Sequence, residues 1–98
     1  MGEYYILKGK KAVACNCTEW AQCFRNANRK VAKDTIGDSV ISTVFLGLDH
    51  SFGYGPPLLF ETLVFGGKLD QEMDRYTTLE EAEKGHLAMV EKVKTLNK

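Results

Sequence analysis

Two apolar segments in the middle of the chain constrain the fold more than any other feature. Ser39–Leu48 would be largely apolar on both faces of an extended strand, and Leu58–Phe65 has the same character. Strands of this kind are typical of central positions in a sheet. The nine residues between them, Asp49–Pro57, include two glycines and two prolines, which favour a stiff loop. We therefore predict that the two strands pair antiparallel, with this loop at one end of the sheet.

Weaker patterns predict two hairpins. Tyr4–Leu7 and Lys11–Asn16 flank a Lys-Gly-Lys turn in which Gly9 supplies the positive φ of a tight turn. Val31–Ile36 precedes a Gly-Asp turn and is predicted to pair with Ser39–Leu48, although its own strand pattern is weak. The segment Gly66–Thr77 is polar and is predicted to be a connection.

Helical patterns occur at two places. The first helix is predicted to begin at the N-cap Thr18 and to end near Lys30. It would carry a basic stripe beside its apolar face. The closing helix is predicted to begin with a capping box of Thr78 and Glu81 and to run to about Thr95. Its predicted inner face consists of Leu79, Ala82, His86, Met89 or Val90, and Val93.

These elements in the order β-β-α-β-β-β-α predict a single α+β domain over residues 1–98. One antiparallel sheet of four to five strands, covered by two helices, would bury the apolar faces. A length of 98 residues accommodates one such domain and not two. The second face of the sheet would be poorly covered, so self-association into a homo-oligomer is one way to bury it.

The formal net charge of zero divides unevenly along the chain. Residues 1–33 hold seven Lys or Arg and two Asp or Glu, a net of +5, and residues 34–98 hold six and eleven, a net of −5. The balanced total argues against a general nucleic-acid binder, and no segment is long and apolar enough to predict a membrane-spanning helix. The basic stripe of the first helix, at Arg25, Arg29 and Lys33, is a candidate anion site, and its alternative is an ordinary solvated face.

The three cysteines favour a reducing compartment. Cys15, Cys17 and Cys23 are odd in number and lack the Cys-x-x-Cys spacing of a zinc site. We predict buried structural thiols. Met1–Lys11 has no apolar core of signal-peptide length, so a cytoplasmic location is expected.

Four segments resemble a small protein family of bacteriophage and prophage genomes. They are Ser42–His50 (STVFLGLDH), Pro56–Thr62 (PPLLFET), Arg75–Thr78 (RYTT) and Glu81–His86 (EAEKGH). The resemblance spans roughly residues 29–90 and implies phage origin but little about mechanism. Leu79 stands where that family would have Trp, a departure that affects packing.

Several polar and aromatic residues are candidates for a ligand site. Loops on a rigid scaffold often carry binding residues, and an Arg beside hydroxyls and a helix N-terminus suits phosphate or carboxylate. These candidates also have structural alternatives. Asp49 could cap a turn, and Phe52 and Tyr54 could pack over their own loop. Glu61 could face solvent, and Arg75 could form an ordinary salt bridge. A lone histidine such as His86 on an apolar helix face is more often a hydrogen-bonded core residue than a ligand, and Gly85 beside it would permit close approach of helix and sheet. The candidate ligand-binding residues are Asp49, His50, Phe52, Tyr54, Glu61, Arg75, Tyr76, Thr78 and His86.

Three functions are compatible with these patterns. The first is a non-enzymatic phage-type binding protein that captures a nucleotide-like or phosphorylated host defence signal. The second is a protein-binding inhibitor or assembly factor that acts on a host or phage protein. The third is a small metal-dependent hydrolase using Asp49, His50, Glu61 and His86, although their spacing matches no strict metal motif. No Walker loop, dinucleotide fingerprint or nucleophile elbow occurs, so we assign no catalytic residue, metal or cofactor.

Overall fold

The computed structural model describes residues 4–26, 29–49, 51 and 55–96, with only the backbone path for residues 23–26. Six strands and two helices occur in this part of the chain. They are β1 (Tyr4–Lys8), β2 (Lys11–Cys15), α1 (Cys17–Asn26), β3 (Lys30–Ile36), β4 (Ser39–Phe45), β5 (Phe60–Phe65), β6 (Met73–Tyr76) and α2 (Leu79–Leu96).

The main sheet is an antiparallel meander in the order β3-β4-β5-β6. The two strongly apolar segments form its central strands β4 and β5, as the sequence predicts. Thr43 lies opposite Thr62 and Phe45 opposite Phe60 in this central pair. The α+β class and the order of the predicted elements are confirmed.

The edge strand β6 lies within a segment predicted as a polar connection. It has only four residues, and Asp74 and Arg75 at its centre interrupt any alternation of apolar side chains. It pairs with β5 so that Arg75 lies opposite Glu61. Short, charged edge strands of this kind leave little signal in a sequence.

The first hairpin forms a sheet of its own instead of joining the main one. Gly9 takes the predicted positive φ, 63°, at its turn. The amide of Tyr5 donates to the carbonyl of Gly47 at 2.8 Å, which ties the hairpin to the chain just after β4. Helix α1 packs on the hairpin through Trp20, whose ring centroid lies 5.2 Å from that of Tyr4.

The boundaries of α1 differ from the prediction. Asn16, not Thr18, caps the helix, because its Oδ1 accepts the amide of Glu19 at 2.8 Å while Glu19 reaches back to the amide of Asn16. The helix ends at Asn26, not near Lys30. Arg29 lies beyond it, with a carbonyl that accepts the amide of Phe45, and Lys33 belongs to β3. The predicted basic stripe on a single helix is therefore wrong.

The prediction of buried thiols is also corrected. Cys15 is half-buried and Cys17 is exposed at the start of α1. The side chain of Cys23 lies outside the described residues.

Helix α2 begins and packs as its sequence predicts. Thr78 Oγ1 accepts the amide of Glu81, and the Glu81 carboxylate accepts the amide of Thr78, both at 3.1 Å. This reciprocal capping box fixes the start of the helix. Its buried face consists of Ala82, His86, Met89, Val90 and Val93.

The core between α2 and the main sheet is divided into two apolar clusters by a polar layer. One cluster contains Ile41, Val64, Met89, Val90 and Val93, and the other contains Phe45, Leu59, Phe60 and Ala82. On each of β4, β5 and α2 a polar residue lies between the members of the two clusters. These residues are Thr43, Thr62 and His86, all of them buried.

The opposite face of the main sheet is only partly covered. Val40, Val44 and Leu63 on it are half-buried. At its β6 side Phe65 and Met73 are 46% and 48% exposed. Self-association through this face stays a prediction.

Candidate functional site

The predicted site residues fall into separate places. Glu61 and Arg75 form an ion pair on the partly open face of the sheet, with Arg75 Nε 3.0 Å from Glu61 Oε2. Their side chains are 18% and 29% exposed. Since a half-buried carboxylate needs a partner, this cross-strand pair accounts for both residues without a ligand. His86 lies on the other face, so Glu61 and His86, two of the residues of the hydrolase hypothesis, do not come together.

Asp49 closes the loop after β4. Its Oδ1 accepts the amide of Ser51 at 2.8 Å and that of Leu58 at 3.0 Å. This is the turn-capping alternative, and it holds the two ends of the loop together. The candidates His50, Phe52 and Tyr54 in the same loop lie outside the described residues.

Tyr76 lies beneath α2, against Gly85. A Cβ at Gly85 would overlap the ring of Tyr76, so the predicted close approach of helix and sheet at this glycine is confirmed. The phenol oxygen is buried and has no partner at hydrogen-bond distance among the described residues. Burial raises the pKa of the Tyr76 phenol above its ordinary value of 10.0, and the nearby Asp74 carboxylate adds to the rise.

The N-terminus of α2 is capped by the chain itself. Glu81 Oε1 accepts the amides of both Thr77 and Thr78, at 3.2 and 3.1 Å. The carboxylate thus takes the position that a bound anion would occupy at a helix N-terminus. Arg75 points to the other face of the sheet, so the predicted combination of Arg75, Tyr76 and Thr78 does not come together.

His86 is the centre of a buried hydrogen-bonded chain. Its Nε2 lies 2.7 Å from Asp34 Oδ2 on β3, and its Nδ1 lies 2.7 Å from Thr43 Oγ1 on β4. Thr43 in turn is hydrogen-bonded to Thr62 on β5 at 2.5 Å. A carboxylate only accepts hydrogen bonds, so Nε2 carries a proton toward Asp34, and in the neutral ring Nδ1 accepts from Thr43. We call Asp34, Thr43, Thr62 and His86 the polar chain.

The polar chain has the composition of a catalytic triad, but its hydroxyl and imidazole groups are buried and only its carboxylate reaches solvent. An acid, a histidine and a hydroxyl in sequence are the groups that activate a nucleophile. A nucleophile must reach a substrate, however, and Thr43 has 0% of its surface exposed between sheet and helix. This arrangement satisfies buried polar groups and specifies packing.

A cleft of about 660 Å³ lies between the first hairpin and the N-terminal part of α2. That volume is in the range of sites for small molecules. Its floor is apolar and partly aromatic, which suits the body of an organic ligand. The floor residues are Tyr5, Ala12, Pro57, Leu59, Phe60 and Leu79.

The walls of the cleft carry opposite charges. Lys10 and Lys11 project from the hairpin, and Glu80 and Glu83 from α2, with Thr77 and Thr78 beside them. Neither lysine takes part in an ion pair among the described residues. Of the sequence-based candidates whose side chains the structure describes, Thr78 alone lines this cleft.

Sequence reasoning found some of these residues and missed others. His86 was identified by its place on the apolar face of α2. Thr43 and Thr62 each interrupt the buried face of a central strand, a signal that marks a polar layer once the strands are paired. Lys10 and Lys11 gave no local signal, because the cleft exists only when the hairpin packs near α2.

Further properties of the described residues limit the classes of site. They contain no group of three or more His, Cys, Asp or Glu side chains placed to hold a metal ion. No helix among them is long and apolar enough to cross a membrane. Comparisons with protein-family models, curated proteins and solved structures find no match. The resemblance to a phage family therefore stays a prediction.

Proposed function

We propose that this chain is a non-catalytic binding protein that holds a small ligand with an anionic group in the cleft between the hairpin and α2. The observation that carries the proposal is the position of Lys10 and Lys11 at an open cleft without an ion-pair partner among the described residues. Two unpaired ammonium groups above an apolar floor can attract an anion and hold an apolar or aromatic body below it.

Binding is favoured over catalysis by the location of the reactive groups. The hydroxyl and imidazole of the polar chain are buried away from the cleft, and Glu61 is engaged by Arg75 on the far side of the sheet. The polar groups that line the cleft belong to lysines, glutamates, threonines and one tyrosine. These groups suit recognition of charge and shape. The phage resemblance implies origin and no particular ligand, and a phosphorylated host signal is compatible with that origin.

The test is a titration of isotope-labelled protein followed by amide chemical shifts. The probes are AMP, a cyclic dinucleotide and ADP-ribose at millimolar concentration and low salt, because exposed charges are screened within about 10 Å at 0.1 M ionic strength. We expect shifts for residues 10–12 and 77–83 with at least one probe. The double variant Lys10→Gln/Lys11→Gln should lose most of the response.

Lys8→Gln is the matched control. Lys8 belongs to the same hairpin and is exposed but does not line the cleft. Because Lys8 lies opposite Lys11 in the hairpin, its substitution removes a neighbouring charge and should weaken the response far less than the double variant does. The proposal fails when no anionic probe perturbs the cleft, or when Lys8→Gln weakens binding as much as the double variant does.

A further inference from the structure

We propose that the ligand of the cleft is a zwitterion: an apolar or aromatic body with an anionic group at the hairpin wall and a cationic group at the helix wall. This inference rests on the proposed function and narrows its ligand class. It follows from how charge is distributed around the cleft.

The helix wall is acidic and largely uncompensated. Glu83 has no hydrogen bond or ion pair among the described residues. Glu80 lies 3.3 Å from Lys84, but both side chains are more than three-quarters exposed, so this i,i+4 pair neutralises it weakly. No ion pair among the described side chains joins this wall to Lys10 or Lys11.

A purely anionic ligand fits this wall poorly. Its charge would lie near Glu80 and Glu83, and like charges repel at such a site. Three of the backbone amides at this wall are already engaged: those of Thr77 and Thr78 donate to Glu81, and that of Glu81 donates to Thr78 Oγ1. An ammonium group on the ligand turns the same wall from repulsive to attractive.

The floor sets the rest of the ligand. Phe60 and Leu59 are buried beneath it, and Tyr5, Leu79 and Ala12 pack against the same core cluster. A ligand body that covers the partly exposed Tyr5, Ala12 and Leu79 gains free energy by removing their apolar surface from water. Amino acids and dipeptides with an aromatic side chain combine all three features at a size that the cleft can hold.

The experiment compares four related probes by the amide titration described above. They are phenylalanyl-glycine, its N-acetyl form without the cation, its C-terminal amide without the anion, and inorganic phosphate. We expect the free dipeptide to bind. Each blocked form should have a dissociation constant at least about threefold higher, which is the size of effect expected for a partly exposed charge pair. Phosphate should bind weakest because it lacks both the body and the cation.

Two variants assign each charge to a wall. Glu83→Gln should weaken binding of the free dipeptide and leave binding of the N-acetyl form unchanged or slightly tighter, because the lost charge attracts an ammonium group and repels an anion. Lys10→Gln/Lys11→Gln should weaken the free dipeptide and leave the amide unchanged. Glu91→Gln, on the same helix but away from the cleft, is the control and should change neither.

The outcomes separate this inference from the proposed function. If anionic probes bind through Lys10 and Lys11 while the ammonium group adds nothing, or if Glu83→Gln does not weaken the dipeptide, the zwitterion is excluded and the anion site stands. If no probe of either panel perturbs the cleft, both proposals are overturned.

Discussion

His86 Nε2 lies 2.7 Å from Asp34 Oδ2, although the two residues are 52 positions apart in the chain. The histidine is 2% exposed and the aspartate side chain 51%. The pair thus connects a buried ring on α2 with the solvent-accessible edge of β3. Behind the ring, Thr43 and Thr62 continue the polar chain into the sheet.

Substitution His86→Leu should destabilise the protein by about 2–4 kcal/mol, because it leaves the buried Thr43 hydroxyl without its acceptor. Urea unfolding measures the change. Leu87→Gln, at the exposed neighbouring position on α2, should have little effect. The triple variant Thr43→Val/Thr62→Val/His86→Leu should recover much of the loss, since an apolar layer has no groups to satisfy. Equal loss in the single and triple variants would contradict this account.

Substitution Gly85→Ala should destabilise the protein by about 1–3 kcal/mol through overpacking against the Tyr76 ring. Intrinsic helix propensity predicts the opposite sign, a gain of about 1 kcal/mol. Thermal unfolding distinguishes the two. In a Tyr76→Val background the ring is absent, and Gly85→Ala should then stabilise the protein. A stabilising effect in the original background would show that helix and sheet are not in close contact there.

Tyr76→Phe should leave stability at neutral pH unchanged or slightly higher, because the buried phenol oxygen has no hydrogen-bond partner among the described residues. The raised pKa of Tyr76 gives the pH dependence its sign. The folded protein holds the phenol proton more tightly than the unfolded chain does, so this contribution is complete below the ordinary phenol pKa and is lost as pH rises above it. Unfolding measured across that alkaline range should show a shallower decline for Tyr76→Phe. An identical decline in both proteins would refute the assignment.

Substitution Arg75→Met should lower stability by about 1 kcal/mol, because it leaves the half-buried Glu61 carboxylate unpaired. Lys84→Met removes one partner of the exposed Glu80 pair and should change stability much less. Adding Glu61→Leu to Arg75→Met should restore most of the loss. Chemical denaturation of the four proteins checks the series, and a similar loss for both lysine and arginine variants would place Glu61 in solvent.

Periodicity was enough to predict most of the fold. Apolar alternation located β4 and β5, and the i,i+3/i+4 spacing of Ala82, His86 and Val90 located the buried face of α2. These signals arise because buried positions require apolar residues, so the buried face of an element is visible as a periodicity in the sequence. Strand β6 is not predicted because it is short, charged and at the edge of the sheet, where a strand needs no apolar alternation.

The candidate site was predicted less well than the fold, because it depends on which elements become neighbours. Asp34 lies in a weak, polar strand, and nothing local connects it with His86. Lys10 and Lys11 acquire meaning only opposite Glu80 and Glu83, some 70 positions later in the chain. Arg29 and Lys33 misled for a related reason: their four-residue spacing is helical, but the chain leaves α1 at Asn26.

The polar layer in the core determines the axial position of α2. Moving the helix by one turn would place His86 against Ile41 and Val64, or against Phe45 and Phe60, and would leave Thr43 and Thr62 facing apolar side chains. In either position several buried polar groups would have no hydrogen-bond partner, which would cost several kcal/mol of stability. A wholly apolar interface would discriminate far less between these placements. The layer thus gives a domain of this size a unique native state, and with it a fixed distance between the first turn of α2 and the hairpin across the cleft.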